Sequence, residues 1–313
     1  MTKIRADHIV SKEQVCTKTS VGDHLSCQQP IWQGALFTMA DNHFKESAKF
    51  QLAQELGGLE LIDAKYKHQN FSRHSHEGYT VGVIQKGAQR FFRNGGNHIA
   101  PEDSIILVNA EQVHNGQSAS EHGWEYKAMY PLPKQFSSLT DGISHEAMVP
   151  YFPEPVVYDP EMAQQLRLVF DTLENSDNRL LRETLVYGTL VKLMARHAKK
   201  YTVNEEKSRN QRQLMLAKEF IDDFPQADVS LAELAKLANL SPYHFARSFQ
   251  KEFCFSPHSY QIQARLRYAM TLMKQGHRLS DVAQESGFHD QSHLHRHFKR
   301  AMGVTPKQYK QSL

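Results

Sequence analysis

Cysteine is scarce in this chain. Its 313 residues hold three, Cys16, Cys27 and Cys254. They are odd in number and widely spaced with no Cys-x-x-Cys pair, so neither a disulfide framework nor a cysteine zinc site is indicated. Long apolar runs are lacking as well. The best, SIILVNA at 104 to 110, falls far short of the roughly 18 residues a membrane helix needs. The opening MTKIRADHIVSKEQ has no signal-peptide core. These absences predict a cytoplasmic protein without a membrane span. Neither sign of charge dominates, with 37 Lys+Arg against 34 Asp+Glu. Hydrophobic residues at 40% and charged residues at 23% exclude global disorder and fibrous repeats. The length allows about two domains.

The near-neutral total conceals an asymmetry. Residues 209 to 313 carry 15 Lys+Arg against 9 Asp+Glu, and from Lys236 onward the count is 12 against 4. A basic terminal module is an electrostatic footprint for nucleic acid, though it is equally compatible with a solvated face.

Residues 1 to 43 show no sustained period and are read as an extension. HFKESAKFQLAQEL, from His43 to Leu56, reads as a short amphipathic helix closed by Gly57-Gly58. Strand-like runs follow in quick succession: LELIDAKY, YTVGVIQ, QRFFR, HIA, SIILV and WEYKAMY. Turn signals separate them, which predicts an antiparallel β barrel or sandwich within residues 44 to 158. The period then turns helical. Met162, Leu166, Val169, Phe170 and Leu173 form one stripe, and a second helix from about Leu180 to Lys199 carries Leu181, Leu185, Leu190, Leu193 and Met194. Residues 159 to 200 are therefore expected to be a helical linker or dimerisation segment, whose partner is the barrel, the first helix or another subunit. A polar linker at 201 to 210 precedes an all-helical module at 211 to 313.

That module contains an internal repeat. Residues 231 to 260 align with 279 to 309, so that Leu231 meets Leu279 and Ala235 meets Ala283. Beyond the turn His244, Arg247, Phe249, Pro257 and Tyr260 meet His293, Arg296, Phe298, Pro306 and Tyr309. Each copy reads as two helices around a tight turn, at 231 to 254 and 279 to 302. In the first, Ser230 with Glu233 makes a capping box, Asn239 sits at the turn, and Ser241 caps a second helix with Pro242 at its first position. In the second, Ser280 or Asp281 caps, Gly287 turns, Asp290 caps and Gly303 stops the last helix. Opposite their apolar stripes, these second helices present Tyr243, His244, Arg247 and Lys251, and Ser292, His293, His295, Arg296, Lys299 and Arg300. Such faces suit the major groove, where Arg bonds guanine and Ser or His bonds base edges or phosphate. A long helix over 257 to 276 would hold two such readers about 34 Å apart. The alternative use of helical hairpins, protein contact, is weakened by the duplication inside a basic module.

The segment from about 210 to 313 resembles the DNA-binding domain of AraC/XylS-type transcription regulators. The matching residues are Gly287-Phe288, Ser292, Leu294, Arg296, Phe298-Lys299, Gly303, Thr305-Pro306 and Tyr309. By this resemblance Tyr243, Arg247, Ser292, His293 and Arg296 contact bases or phosphates, as does Ser241 at the start of its helix. Ala246 departs from the longer polar side chain of relatives, and Cys254-Phe255 departs from the Gly303-Val304 of the second copy. Residues 56 to 132 are similar to the cupin-type effector domain of the same family. His74, His76 and His114 fall where metal-dependent cupins place imidazoles, so a divalent ion in the barrel is one reading, although no cofactor is required. The glutamate of that set is missing, since Thr80 and Val81 stand there and Glu77 points elsewhere. The other reading is an effector pocket oriented by His74, His76, Tyr79 and His114. On the last strand Trp124, Tyr126 and Tyr130 share one face, and Trp124 and Tyr126 are taken as pocket walls, with core filling as the alternative.

The expected protein is thus α+β, a cupin-like antiparallel barrel with flanking helices ahead of an all-α domain with two helix-turn-helix motifs. Its expected role is not enzymatic. It is a ligand-responsive regulator, in most relatives an activator, with promoter DNA, a small metabolite, RNA polymerase and a second copy of itself as partners. The alternative is a metal-dependent cupin enzyme fused to a DNA-binding domain.

Overall fold

The computed structural model describes residues 44–93, 95–140, 149–200 and 209–313. The amino-terminal extension and most of the polar linker lie outside these. The first element corrects an expectation: where a helix was read, Ser47–Ala53 is a strand, β1. It pairs antiparallel with β2, Leu59–Tyr66, through a short 3-10 turn and Gly57. Phe50 and Ala53 are buried, and pairing with β2 along the whole strand outweighs a weak helical preference. Gly57-Gly58 serves as the hairpin turn, not as a helix stop.

The remaining strands are β3 Phe71–His74, β4 Thr80–Arg93, β5 Gly96–Pro101, β6 Ile105–Val108, β7 His114–Ser118 and β8 Trp124–Tyr130. All pair antiparallel. β4 fuses two runs that read as separate strands. Its first half pairs β6 and β8, its second half pairs β5 and β7, and a register irregularity between Ile84 and Lys86 marks the bend. β3 pairs β7, which places His74 opposite His114. Both strands are short, and their sequences gave no alternating signal.

Alternation along the strands feeds two cores. Ile62, Ala64, Tyr66, Ile106, Val108, Trp124 and Ala128 face the barrel interior. Leu61, Val81, Val83, Ile105, Leu107 and Met129 face outward under two helices. This explains the uninterrupted apolar run in β6, which is buried on both faces. The outer layer follows a short helix, α1 (Pro133–Thr140), and two-residue strands β9 (Pro150–Tyr151) and β10 (Val156–Val157). It consists of α2, Pro160–Asn175, and α3, Arg179–His197. Asp159 caps α2 by accepting from the Met162 amide, and Asn178 caps α3. The α2 stripe is buried as expected, as are Leu190, Leu193 and Met194 of α3. The partner of these helices is therefore the barrel sheet and each other.

After β11 (Lys199–Lys200) the chain is helical: α4 Arg209–Asp223, α5 Leu231–Leu237, α6 Pro242–Phe253, α7 Pro257–Lys274, α8 Leu279–Glu285, α9 Gln291–Met302 and α10 Pro306–Gln311. The capping box of Ser230 and Glu233 forms, and Ser241 and Asp290 cap α6 and α9. One cap expectation fails: α8 begins two or three residues earlier than a Ser280 or Asp281 cap would place it, with Arg278 at its N-cap and no side-chain bond to the free amides. Ser280 and Asp281 lie inside the helix and bond each other. Among the described residues, no helix is long and apolar enough to cross a membrane.

Candidate nucleic-acid interface and the chamber behind it

α6 and α9 are the second helices of the two repeats, and each buries one stripe. Phe245 and Phe249 anchor α6, and Leu294 and Phe298 anchor α9. The opposite faces are exposed at Tyr243, His244, Arg247 and Lys251, and at Ser292, His295, Arg296, Lys299 and Arg300. Arg247 lies over the Tyr243 ring and donates to its hydroxyl at 3.2 Å. This orients the guanidinium while leaving its charge free. Among the described residues, no carboxylate pairs with Arg247, Lys251, Arg296, Lys299 or Arg300. Unpaired cations on an exposed helix face are what phosphate contacts require. His293 differs from its neighbours. It is half-buried against Phe288 and His297, and burial beside Arg296 holds its imidazole below the usual range. The hydroxyl of Ser241 is engaged in its cap, accepting from the His244 amide at 3.4 Å.

The barrel histidines converge. His74 ends β3, His114 begins β7, and His76 follows in the next loop. Ring centroids are 4.3 Å apart for His74 and His114, 4.9 Å for His74 and His76, and 5.1 Å for His76 and His114. Nδ1 of His74 lies 2.7 Å from the Ser72 carbonyl and Nδ1 of His114 lies 2.9 Å from the Gln112 carbonyl. A carbonyl can only accept, so each Nδ1 carries the proton and each Nε2 keeps its lone pair. Burial pushes all three imidazoles below the ordinary value, His114 to about 3, so they are neutral near pH 7. Behind them sits Arg93, fully buried, the β4 partner of His114. Its guanidinium donates to the carbonyls of Leu107 and Phe152 and to Gln112.

These rings border a cavity that also meets Thr80, Gln89, Phe91, Tyr126 and Tyr130. A second cavity adjoins it and shares His74, His76 and Tyr130. Burial pushes the Tyr126 and Tyr130 phenols up, so both are neutral hydroxyls. The Thr80 hydroxyl is buried without a partner. Two expected pocket residues, Tyr79 as an orienting group and Trp124 as a wall, are elsewhere. Tyr79 turns into the outer core, stacks on Phe136 and donates to the Pro150 carbonyl at 2.7 Å, because it precedes β4 with the opposite alternation to Thr80. Trp124 is core, wedged by Tyr66 and Phe71. It backs the chamber without lining it.

Sequence reasoning missed the side of the chamber made by the helical module. Ala301 and Met302 at the end of α9 border both cavities, and Leu266, Arg267, Met270 and Lys274 of α7 border the second. The Tyr309 ring meets Phe50, and Lys274 pairs with Glu60 at 2.8 Å. The Lys299 and Arg300 carbonyls accept from Gln69 and Ser72 of the barrel. Nothing in a linear reading joins residues more than 200 positions apart. Tyr130 did carry a signal, since it shares the Trp124 and Tyr126 face.

Two family models match the chain: an AraC-like ligand binding domain over residues 56–190 and a helix-turn-helix domain over 234–312. The first takes in the barrel strands from β2 onward, α2 and the larger part of α3. Among curated relatives, the HTH-type transcriptional regulator YbfI of Bacillus subtilis is 29% identical over 226 residues, covering 72% of this chain and 82% of YbfI. The probable transcriptional regulator LumQ of Photobacterium leiognathi is 30% identical over 143 residues, covering 45% and 56%. Among solved structures, ToxT from Vibrio cholerae superimposes with a TM-score of 0.53 at 15% identity, covering 82% of this chain and 98% of ToxT. It shares the fold. A further ToxT structure holds an unsaturated fatty acid. These relatives are transcriptional regulators, in keeping with a non-enzymatic role.

Proposed function

The chain belongs to the AraC-type transcriptional regulators, and from that membership we propose a ligand-gated activator of promoter DNA. α6 and α9 read two blocks of one site, and a small organic effector occupies the histidine-lined chamber. One observation carries this reading: the end of α9, the helix offered to DNA, is also a wall of the chamber, through Ala301 and Met302. A ligand that swells or orders that wall has different contacts in the docked and released arrangements, and only such a difference lets it shift an equilibrium. The mixed lining, apolar at Leu132, Leu266, Met270, Ala301 and Met302 and polar elsewhere, suits an amphipathic molecule such as the fatty acid that ToxT holds,. Arg267 and Lys274 also border this cavity, but Arg267 is paired with Asp222 and Glu77 and Lys274 with Glu60, so an acidic group of the ligand reaches them by displacing a carboxylate. Exposed Leu168, Leu180, Leu181 and Val191 on α2 and α3 favour a homodimer through that layer. The resemblance to AraC/XylS-type proteins favours recruitment of RNA polymerase over repression.

The test is selection of bound DNA from a random pool by the full-length protein at fixed salt, with and without a metabolite mixture that includes fatty acids. Enrichment of two short blocks about one helical turn apart, altered by the mixture, is the expected result. No enriched sequence in either arm overturns the reading.

A further inference from the structure

The histidine cluster does more than line a pocket. We propose that His74, His76 and His114 bind one divalent ion of the zinc class, with a fourth position open to the chamber that takes an anionic oxygen donor.

The ligand atoms of the three residues lie within 4.8 Å of one another. Tetrahedral ligands about 2.0–2.1 Å from zinc stand roughly 3.4 Å apart, so small ring rotations close the set. The outer hydrogen bonds are already those of metal ligands. His74 and His114 each donate Nδ1–H to a carbonyl of their own strand or its approach, Ser72 and Gln112, which fixes the ring and directs Nε2 inward,. Their cross-strand pairing holds two ligands at one level of the sheet, and His76 closes the triangle from the loop.

Charge points to the fourth ligand. Three imidazoles leave both positive charges of the ion uncompensated, and no carboxylate borders the cavity around them. In the adjoining cavity Glu60 and Glu77 face cations of α7, Lys274 at 2.8 Å and Arg267 at 3.8 Å. A buried dication with an open position favours hydroxide or a carboxylate from the bound molecule. The ligand half of this inference rests on the chamber being the effector site, but the metal half does not.

A second group of imidazoles lies at the start of α9, where exposed or half-buried His289, His293 and His297 are spaced four apart. The experiment separates the two. Full-length protein is stripped with chelator and titrated with Co²⁺, then with Zn²⁺ in competition. One ion per chain and the visible band of a four-coordinate cobalt are expected. His76→Ala, in a loop, should weaken Zn²⁺ by roughly 100-fold or more while unfolding as the parent does. If that variant fails to fold, His74→Gln is read in its place. The double variant His293→Ala with His297→Ala should bind as the parent does. Substoichiometric binding, binding unchanged in the His76 and His74 variants, or loss in the α9 variant overturns the metal site. Acetate added to the cobalt form should shift its band, and an unshifted band overturns the open position. Failure of the effector reading registers elsewhere, as DNA selection that metabolites do not alter.

Discussion

The two helix-turn-helix copies obey one sequence grammar yet stand differently in the molecule. The first has its own core, in which Leu234, Phe245, Phe249 and Phe255 close on α4 and Tyr260, and it meets the barrel chiefly across an open cleft. The core of the second is continuous with the barrel interior: Phe298, Met302 and Tyr309 pack in one cluster with Phe50, Tyr66 and Phe71. The difference is concentrated at the end of the second helix. α9 stops at Gly303 with φ +75, and an added Cβ there would lie 2.6 Å from the Tyr66 hydroxyl and 2.8 Å from Phe71. The equivalent residue of α6 is Cys254, also left-handed at φ 60 but exposed. Equal motifs thus acquire unequal duties. α6 packs into the core of its own repeat, whereas α9 also borders the chamber.

The largest expected effect tests the shared core. Trp124→Ala should cost about 3–5 kcal/mol in barrel stability, read by urea unfolding, and should loosen amide protection in α9 more than in α6. Equal loosening of both repeats would erase the asymmetry. Effector response lost at full stability would instead restore Trp124 as a wall.

Gly303→Ala should cost roughly 2–4 kcal/mol, since a left-handed backbone and a backing ring are both violated. A neutral outcome would mean that the docked arrangement does not persist in solution.

Next comes recognition. Arg296→Ala and Arg247→Ala should each cost about 1–3 kcal/mol at the specific site and relax one base position, while Lys299→Ala should weaken all sequences and flatten the salt slope. The comparison is sharpened by adding effector. Only the block read by α9 should change in footprinting, and an equal change in both blocks would show that the module moves as one body.

What was legible in the sequence follows the same divide. Period, the caps other than that of α8, and the duplicated motif made the helices and the exposed polar faces of α6 and α9 legible, because helical signals are local. The 162–173 stripe and the 124–130 strand were legible for the same reason. β1 was misread because its partner, β2, decides its conformation. β3 and β7 were missed because four or five residues carry no measurable alternation. The histidine triad was visible by resemblance, but the chamber's other half was not, since Met302 and Arg267 meet His76 and Glu77 only through the tertiary fold.

Cys254→Gly is the stabilising counterpart of the Gly303 change. It relieves a left-handed non-glycine residue whose strain is about 1 kcal/mol, offset in part by greater freedom of the unfolded chain. A gain of about 0.5 kcal/mol in urea midpoint energy is expected, with DNA affinity unchanged. A loss would mean that the thiol packs in the cleft beside Phe253.

The smallest effect concerns the two caps at one repeat position. Ser241 accepts from the His244 amide and Asp290 from the His293 amide, at 3.4 Å and 2.7 Å. The bond from the His293 amide, with help from His289, lowers the Asp290 carboxyl below its ordinary 3.8. A depressed carboxyl contributes its stability above the unfolded-state value and loses it as pH falls through the folded-state value. The α9 start should therefore fray below about pH 4, whereas the uncharged Ser241 cap of α6 should not. Hydrogen exchange at the His293 amide, compared with His244 after correction for intrinsic rates, reads the difference. Asp290→Asn should remove the pH step and keep the cap. Parallel pH profiles at the two amides would make the caps interchangeable and leave the asymmetry of the repeats to the barrel contact alone.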